Sequence, residues 1–137
     1  MISILFENDA ILKETSFGLD LLYQSEFKLL KRRNADIWAD IKILKPDVLF
    51  INLSEDFNKK VKSIYEIAQN IKIVLLVNYN CDHVCWIAKK HKISGILQKN
   101  VSIKEFNDML ISIFSLSDYL CVSKYDPTID FEKINDI

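Results

Sequence analysis

The chain has 137 residues, half of them hydrophobic, with 18 basic and 19 acidic side chains and a formal net charge of −1. That suits one domain with a substantial core, so disorder is not the default, and leaves no bulk electrostatic case for nucleic acid. No apolar run approaches the roughly 18 residues of a membrane span, and the two glycines, Gly18 and Gly95, leave no glycine-rich phosphate loop.

Residues 2–6, ISILF, read as a first strand, closed by the polar turn Glu7-Asn8-Asp9. The spacing of Ile11, Leu12, Phe17, Leu21 and Leu22 predicts a helix over about 10–24. Residues 26–33, EFKLLKRR, form a short, polar second strand suited to a sheet edge. A second helix, capped by Asn34 or Asp36, runs to about Leu44, with Ile37, Ile41 and Leu44 inward, and Pro46 stops it. Residues 48–52, VLFIN, are a buried third strand that ends on Asn52. Val61, Ile64, Tyr65 and Ala68 stripe a third helix over about 57–70. Residues 71–77, IKIVLLV, are the most apolar strand, as a central parallel one should be.

A polar turn over 78–82 leads to a fourth helix at about 82–91. Residues 94–99 make the fifth strand. Ser102 and Glu105 then open a fifth helix whose inward set is Phe106, Met109, Leu110 and Ile113. Five strand–helix alternations predict an α/β domain over 1–116, with a parallel sheet covered by helices on both faces. Residues 117–137 lose the periodicity and read as a linker or tail, with a short helix near 130–136. Three cysteines make no even disulfide framework, and the start lacks the basic segment of a signal peptide, so reduced thiols and a cytoplasmic location are expected.

Four stretches, ISILFENDAILKE, LKPDVLFINL, IKIVLLVNYN and ISGILQKNVSIKEF, resemble the receiver domains of two-component response regulators, in particular the NarL/LuxR-like subgroup. The last is the most specific, with a Ser-Gly-x-Leu-x-Lys-x-x-Ser pattern. The resemblance implies a flavodoxin-like, doubly wound (βα)5 sandwich with sheet order 2-1-3-4-5 and a site at the carboxyl ends of strands one, three, four and five. In that family, two acids after strand one hold a divalent cation and an aspartate ending strand three accepts phosphoryl. A Thr or Ser ends strand four, an aromatic side chain on strand five switches rotamer, and a lysine ends strand five.

Carried onto this chain, the acidic pair falls on Glu7 and Asn8, the phosphoacceptor on Asn52, and the hydroxyl on Val77. The aromatic position falls on Ile96, and the lysine is kept as Lys99. A carboxylate attacks phosphorus as an anion, whereas an amide oxygen is neutral and forms no acyl phosphate. Mg²⁺ needs hard oxygen anions, and Glu7 alone supplies one, so Mg²⁺ binding is expected to be weak or absent and no cofactor is implied. The resemblance therefore implies a degenerate phosphorylation pocket and no enzymatic activity, with Glu7 and Asn52 expected to bond Lys99 in a closed polar cluster. Asp9, Glu55 and Asp56 are the candidate surrogate acids for displaced phosphotransfer chemistry.

Cys81, His83, Cys85 and His91 lie close in sequence, but zinc needs four convergent ligands, and packing or surface roles are expected instead. Lys28, Lys31, Arg32 and Arg33 read as a solvated edge rather than a nucleic-acid patch. Trp86 is a candidate interface residue. The function implied is a phosphorylation-independent interaction or dimerisation module. It would be the N-terminal regulatory part of a transcriptional regulator or a stand-alone interaction domain. It would self-associate as a homodimer, or bind a protein partner, through helix four, strand five and helix five. DNA would be reached only through an output domain absent from these residues, and no membrane is involved.

Overall fold

A computed structural model describes residues 1–24, 26–79, 82–115 and 121–122. In chain order the elements are β1 (Ile2–Phe6), α1 (Ile11–Glu14), α2 (Gly18–Leu21), β2 (Phe27–Leu30), α3 (Ile37–Leu44) and β3 (Val48–Asn52). They continue with α4 (Phe57–Ile67), β4 (Lys72–Val77), α5 (Asp82–Lys90), β5 (Gly95–Gln98), α6 (Ile103–Ser115) and β6 (Cys121–Val122). Among the described residues all strand pairings are parallel, in the order β2-β1-β3-β4-β5-β6. The first five strands therefore stand in the order 2-1-3-4-5, a flavodoxin-like α/β fold.

The central strands are buried on both sides, which is why their sequences are continuous apolar runs rather than alternations. One face of the sheet packs Leu49, Ile51, Ile73 and Leu75 against Ile41, Val61, Ile64, Val84 and Ala88 of α3, α4 and α5. The other face packs Ile4, Phe6, Phe50, Val74 and Leu76 against Phe17, Leu21, Phe106, Leu110 and Ile113 of α2, α6 and the segment before α2. An aromatic stack runs through this second layer: Phe6 on Phe50 at 4.8 Å, Phe50 on Phe106 at 5.4 Å and Phe17 on Phe106 at 4.7 Å between ring centroids. Burial of such rings contributes roughly 2–3 kcal/mol each relative to exposure.

Beyond one-residue shifts, four boundaries differ from the sequence expectation, and one of them is β2, which spans Phe27–Leu30 rather than 26–33. The first helix is broken into α1 and α2. The Thr15 hydroxyl donates to the Leu12 carbonyl at 3.1 Å, and the Ser16 N–H leaves the helix to bond the Lys99 carbonyl at 2.9 Å. Gly18 fits the resulting kink because a Cβ there would sit 1.8 Å from the Leu12 carbonyl oxygen. Leu22, expected inward, is exposed past the end of α2. The third helix stops at Ile67 rather than near 70, where the chain turns into β4. Cys121–Val122, placed in the tail by the sequence, instead pair beside β5 as a sixth strand too short to show a period. The helix expected near 130–136 lies outside the described residues. Among the described residues, no helix is long and apolar enough to cross a membrane.

Candidate functional site at the carboxyl ends of the strands

Strand register decides which side chains meet. Phe6 pairs with Phe50, Asn52 with Leu76 and Val77 with Gln98, so β1, β3, β4 and β5 end together. Glu7, Asn52, Val77 and Lys99 follow from those ends onto one rim of the sheet. The Glu7 N–H donates to the Phe50 carbonyl at 2.8 Å, and the Lys99 N–H to the Val77 carbonyl at 3.0 Å, so both ends are fixed by backbone bonds.

Glu7 is the hub. Its Oε1 accepts from the Asn52 N–H at 3.1 Å, and its Oε2 accepts from the Lys60 ammonium. Lys60 comes from α4 and is also 3.9 Å from Asp56 and 3.5 Å from the Ser54 hydroxyl. Both Glu7 and Lys60 are largely buried, so their pairing is screened less than a surface bridge. Asp56 is exposed, and the Ser54 hydroxyl and then Lys60 hold its carboxyl below the usual range.

The expected Glu7–Asn52–Lys99 cluster does not form. Lys99 faces Glu14 of α1 at 3.6 Å, because the broken helix brings that acid beside the β5 turn. Glu7 takes its cation from Lys60 instead. The Oδ1 of Asn52 is shut off from solvent with no hydrogen-bond partner. Asn8 is a turn residue, its Oδ1 accepting from the Ala10 N–H at 2.9 Å. Val77 and Ile96 are fully buried core side chains. The candidate surrogate acids Asp9, Glu55 and Asp56 all lie exposed in the loops around this rim.

A second polar cluster braces the first from the β2 edge. Asp40 is a fully buried carboxylate on α3. It accepts from Arg32 Nε, from the Arg33 N–H at 3.1 Å, and from the Asn34 N–H and Nδ2 at 3.0 and 2.8 Å. Burial pushes its pKa up, but bonds from Arg32, Asn34 and Arg33 outweigh that and hold it at about 2. Arg32 also donates through Nη1 to the Glu7 carbonyl and through Nη2 to the Asn34 and Ala35 carbonyls. Arg32 is therefore not part of a solvated basic edge. Lys28, Lys31 and Arg33 are exposed there, while Arg32 turns in and ties the β2–α3 loop to the end of β1.

Sequence reasoning missed Lys60 and Asp40. Lys60 sits 53 positions from Glu7, and only its i, i+4 relation to Asp56 is local. Asp40 did leave a signal: a charge on the same helix face as Ile37, Ile41 and Leu44. Of the four Cys and His positions weighed for zinc, Cys81 lies outside the described residues. His83 stacks on Trp86 at 6.3 Å, and His91 meets the Phe57 ring edge-on at 5.7 Å. Among the described residues no three His, Cys, Asp or Glu side chains are grouped to hold a metal ion. Trp86 is 58% exposed, with the Lys90 ammonium 5.0 Å above its ring. No protein-family model matches the chain, and no curated protein matches it either.

Proposed function

We propose that the chain is a receiver-like signalling module that works without phosphoryl transfer, by binding a protein partner or a second copy of itself. The observation that carries this reading is the occupation of the Glu7 carboxylate by Lys60, beside an amide at Asn52. An ammonium already neutralises the Glu7 carboxylate, and the residue ending β3 has no anionic oxygen to attack phosphorus. The rim is thereby held in one arrangement by the chain's own charges, and the output has to come from a surface rather than from covalent chemistry. In this reading the surface is α5, β5 and α6, with Trp86 as its anchor, and the chain is the regulatory half of a transcriptional regulator.

The test is incubation of the protein with acetyl phosphate and Mg²⁺, followed by intact-mass and peptide mass spectrometry. The expected result is unmodified protein. A stable phosphoryl adduct at this rim, on Asp9, Glu55 or Asp56 included, would overturn the reading. The surface is tested separately by sedimentation of Trp86→Ala, which should lower self-association or partner capture while the melting temperature stays within a few degrees, since the ring is mostly outside the core.

A further inference from the structure

The opposite end of the sheet carries a second feature. Two adjoining depressions, of about 440 and 700 Å³, lie at the amino ends of β3, β4 and β5 and share Gln69, Asn70 and Ile71 as a common wall. Lys42 and Lys45 line the first, and Lys72 and Lys92 line the second. The one acid lining either depression is Asp47, whose Oδ2 already accepts from the Ser3 N–H at 2.8 Å and the Ser3 hydroxyl at 3.0 Å. Among the described residues none of the four lysines is paired with a carboxylate.

The backbone adds an independent observation. Lys45 and Lys92 are the two non-glycine residues with positive φ among the described residues, at 49° and 57°. Both follow helix ends where glycine is the comfortable choice, because a Cβ is strained there. The Lys92 position is moreover fixed, since the Tyr65 hydroxyl donates to its carbonyl at 2.6 Å. A left-handed residue is a common close of an α-helix, as the Lys45 N–H bond to the Ile41 carbonyl shows, and lysines near helix carboxyl ends complement the helix dipole; neither role accounts for a hollow between the side chains.

We propose that this double depression binds a small, multiply charged phosphate-bearing molecule, with Lys45 and Lys92 reaching it from the two ends and the Gln69 and Asn70 amides and the Ser94 hydroxyl supplying neutral donors. The volumes suit a small-molecule site, and the excess of unpaired ammonium groups selects an anion over a neutral ligand. Two separated lysine pairs favour a ligand with two charged groups over inorganic phosphate.

The test is titration of the ¹⁵N-labelled full chain with inorganic pyrophosphate at constant ionic strength, followed by amide shifts. Saturable shifts confined to residues 42–47, 67–72 and 92–94 are expected, with weaker binding of inorganic phosphate. The double variant Lys45→Gly/Lys92→Gly should bind about tenfold more weakly, while its melting temperature stays level or rises because the strain is gone. Lys72→Gln, at the start of β4, should weaken binding without touching either strained loop. Lys13→Gln, an exposed lysine on α1, should leave binding unchanged. Linear, unsaturable shifts, unaltered binding in the double variant, or an equal loss in Lys13→Gln would overturn the proposal.

Discussion

Replacing Asp40 by Asn keeps the volume of the side chain and removes its charge. The carboxylate accepts four hydrogen bonds, two on each oxygen. An amide oxygen can retain the pair from Asn34, but the new NH₂ then points donors at Arg32 Nε and the Arg33 N–H. Two donors lose their acceptor, and the largely buried Arg32 guanidinium loses its counter-ion. Breaking a buried pair from one side costs about 3–5 kcal/mol. Because Arg32 keeps three carbonyl acceptors, the expected loss lies at the lower end, about 3 kcal/mol. For a domain of this size that corresponds to a fall in melting temperature of about 10–15 °C. The pH dependence supplies a second readout. The carboxyl is depressed from 3.8 to about 2 in the folded chain, so its stabilisation is fully present above 3.8 and is lost as pH falls through about 2. Urea denaturation of wild type and Asp40→Asn at pH 7 and across pH 2–4 measures both, with the gap between the proteins narrowing toward the acid end. A loss under about 1 kcal/mol at neutral pH, or a gap that does not change with pH, would refute this account of the cluster.

The remaining predictions concern the kink and the rim. Gly18→Ala forces a Cβ against backbone that cannot yield cheaply, so it should destabilise by about 2–3 kcal/mol in urea melts; a neutral effect would mean that α2 can shift freely against α1. Asn52→Leu removes a buried acceptor that has no partner, so the melting temperature should hold or rise, by up to about 1 kcal/mol of stability. A clear loss would instead make Asn52 a necessary structural amide. Lys60→Met keeps the stem and removes the ammonium, leaving Glu7 with only the Asn52 N–H; it should cost about 1–3 kcal/mol and raise affinity for Mg²⁺, read by calorimetric titration. An unchanged Mg²⁺ response would show that Lys60 is not what neutralises Glu7.

The strands β1, β3, β4 and β5 were legible in the sequence because burial on both faces leaves uninterrupted apolar runs, whereas β2 is shorter than the expected 26–33 and β6 was not foreseen. Residues 2–6 and 48–52 emerge with the same bounds in the structure, and 71–77 and 94–99 shift by a residue at their ends. The inward set of α6, Phe106, Met109, Leu110 and Ile113, followed from a helical period long enough to be unambiguous. The break between α1 and α2 was hidden because its cause is a tertiary bond from Ser16 to Lys99, 83 positions away. The rim was half legible. The end of an apolar run marked Asn52 along the chain, and the receiver resemblance marked Glu7, Val77 and Lys99. Which cation meets which acid could not be read there, since Lys60 and Glu14 reach their partners from helices whose rotation about the sheet is set by packing.

Arg32 connects the two polar clusters into one device. Its guanidinium grips a carboxylate on α3 with one edge and the Glu7 carbonyl with the other. The Glu7 side chain then grips Lys60 of α4 and the Asn52 backbone of β3. A displacement of α3 relative to β1 is therefore coupled to the Glu7 carboxylate through two charge-assisted contacts, without any ligand at the rim. Under the proposed function, this contact chain would be the route between a helical surface and the strand ends. The physical requirement is that both clusters be closed at once, because a half-satisfied buried network is less stable than an apolar one. Coupling between Asp40→Asn and Lys60→Met in a double-mutant cycle measures it directly. A coupling energy above about 0.5 kcal/mol supports a single network, and strict additivity refutes it.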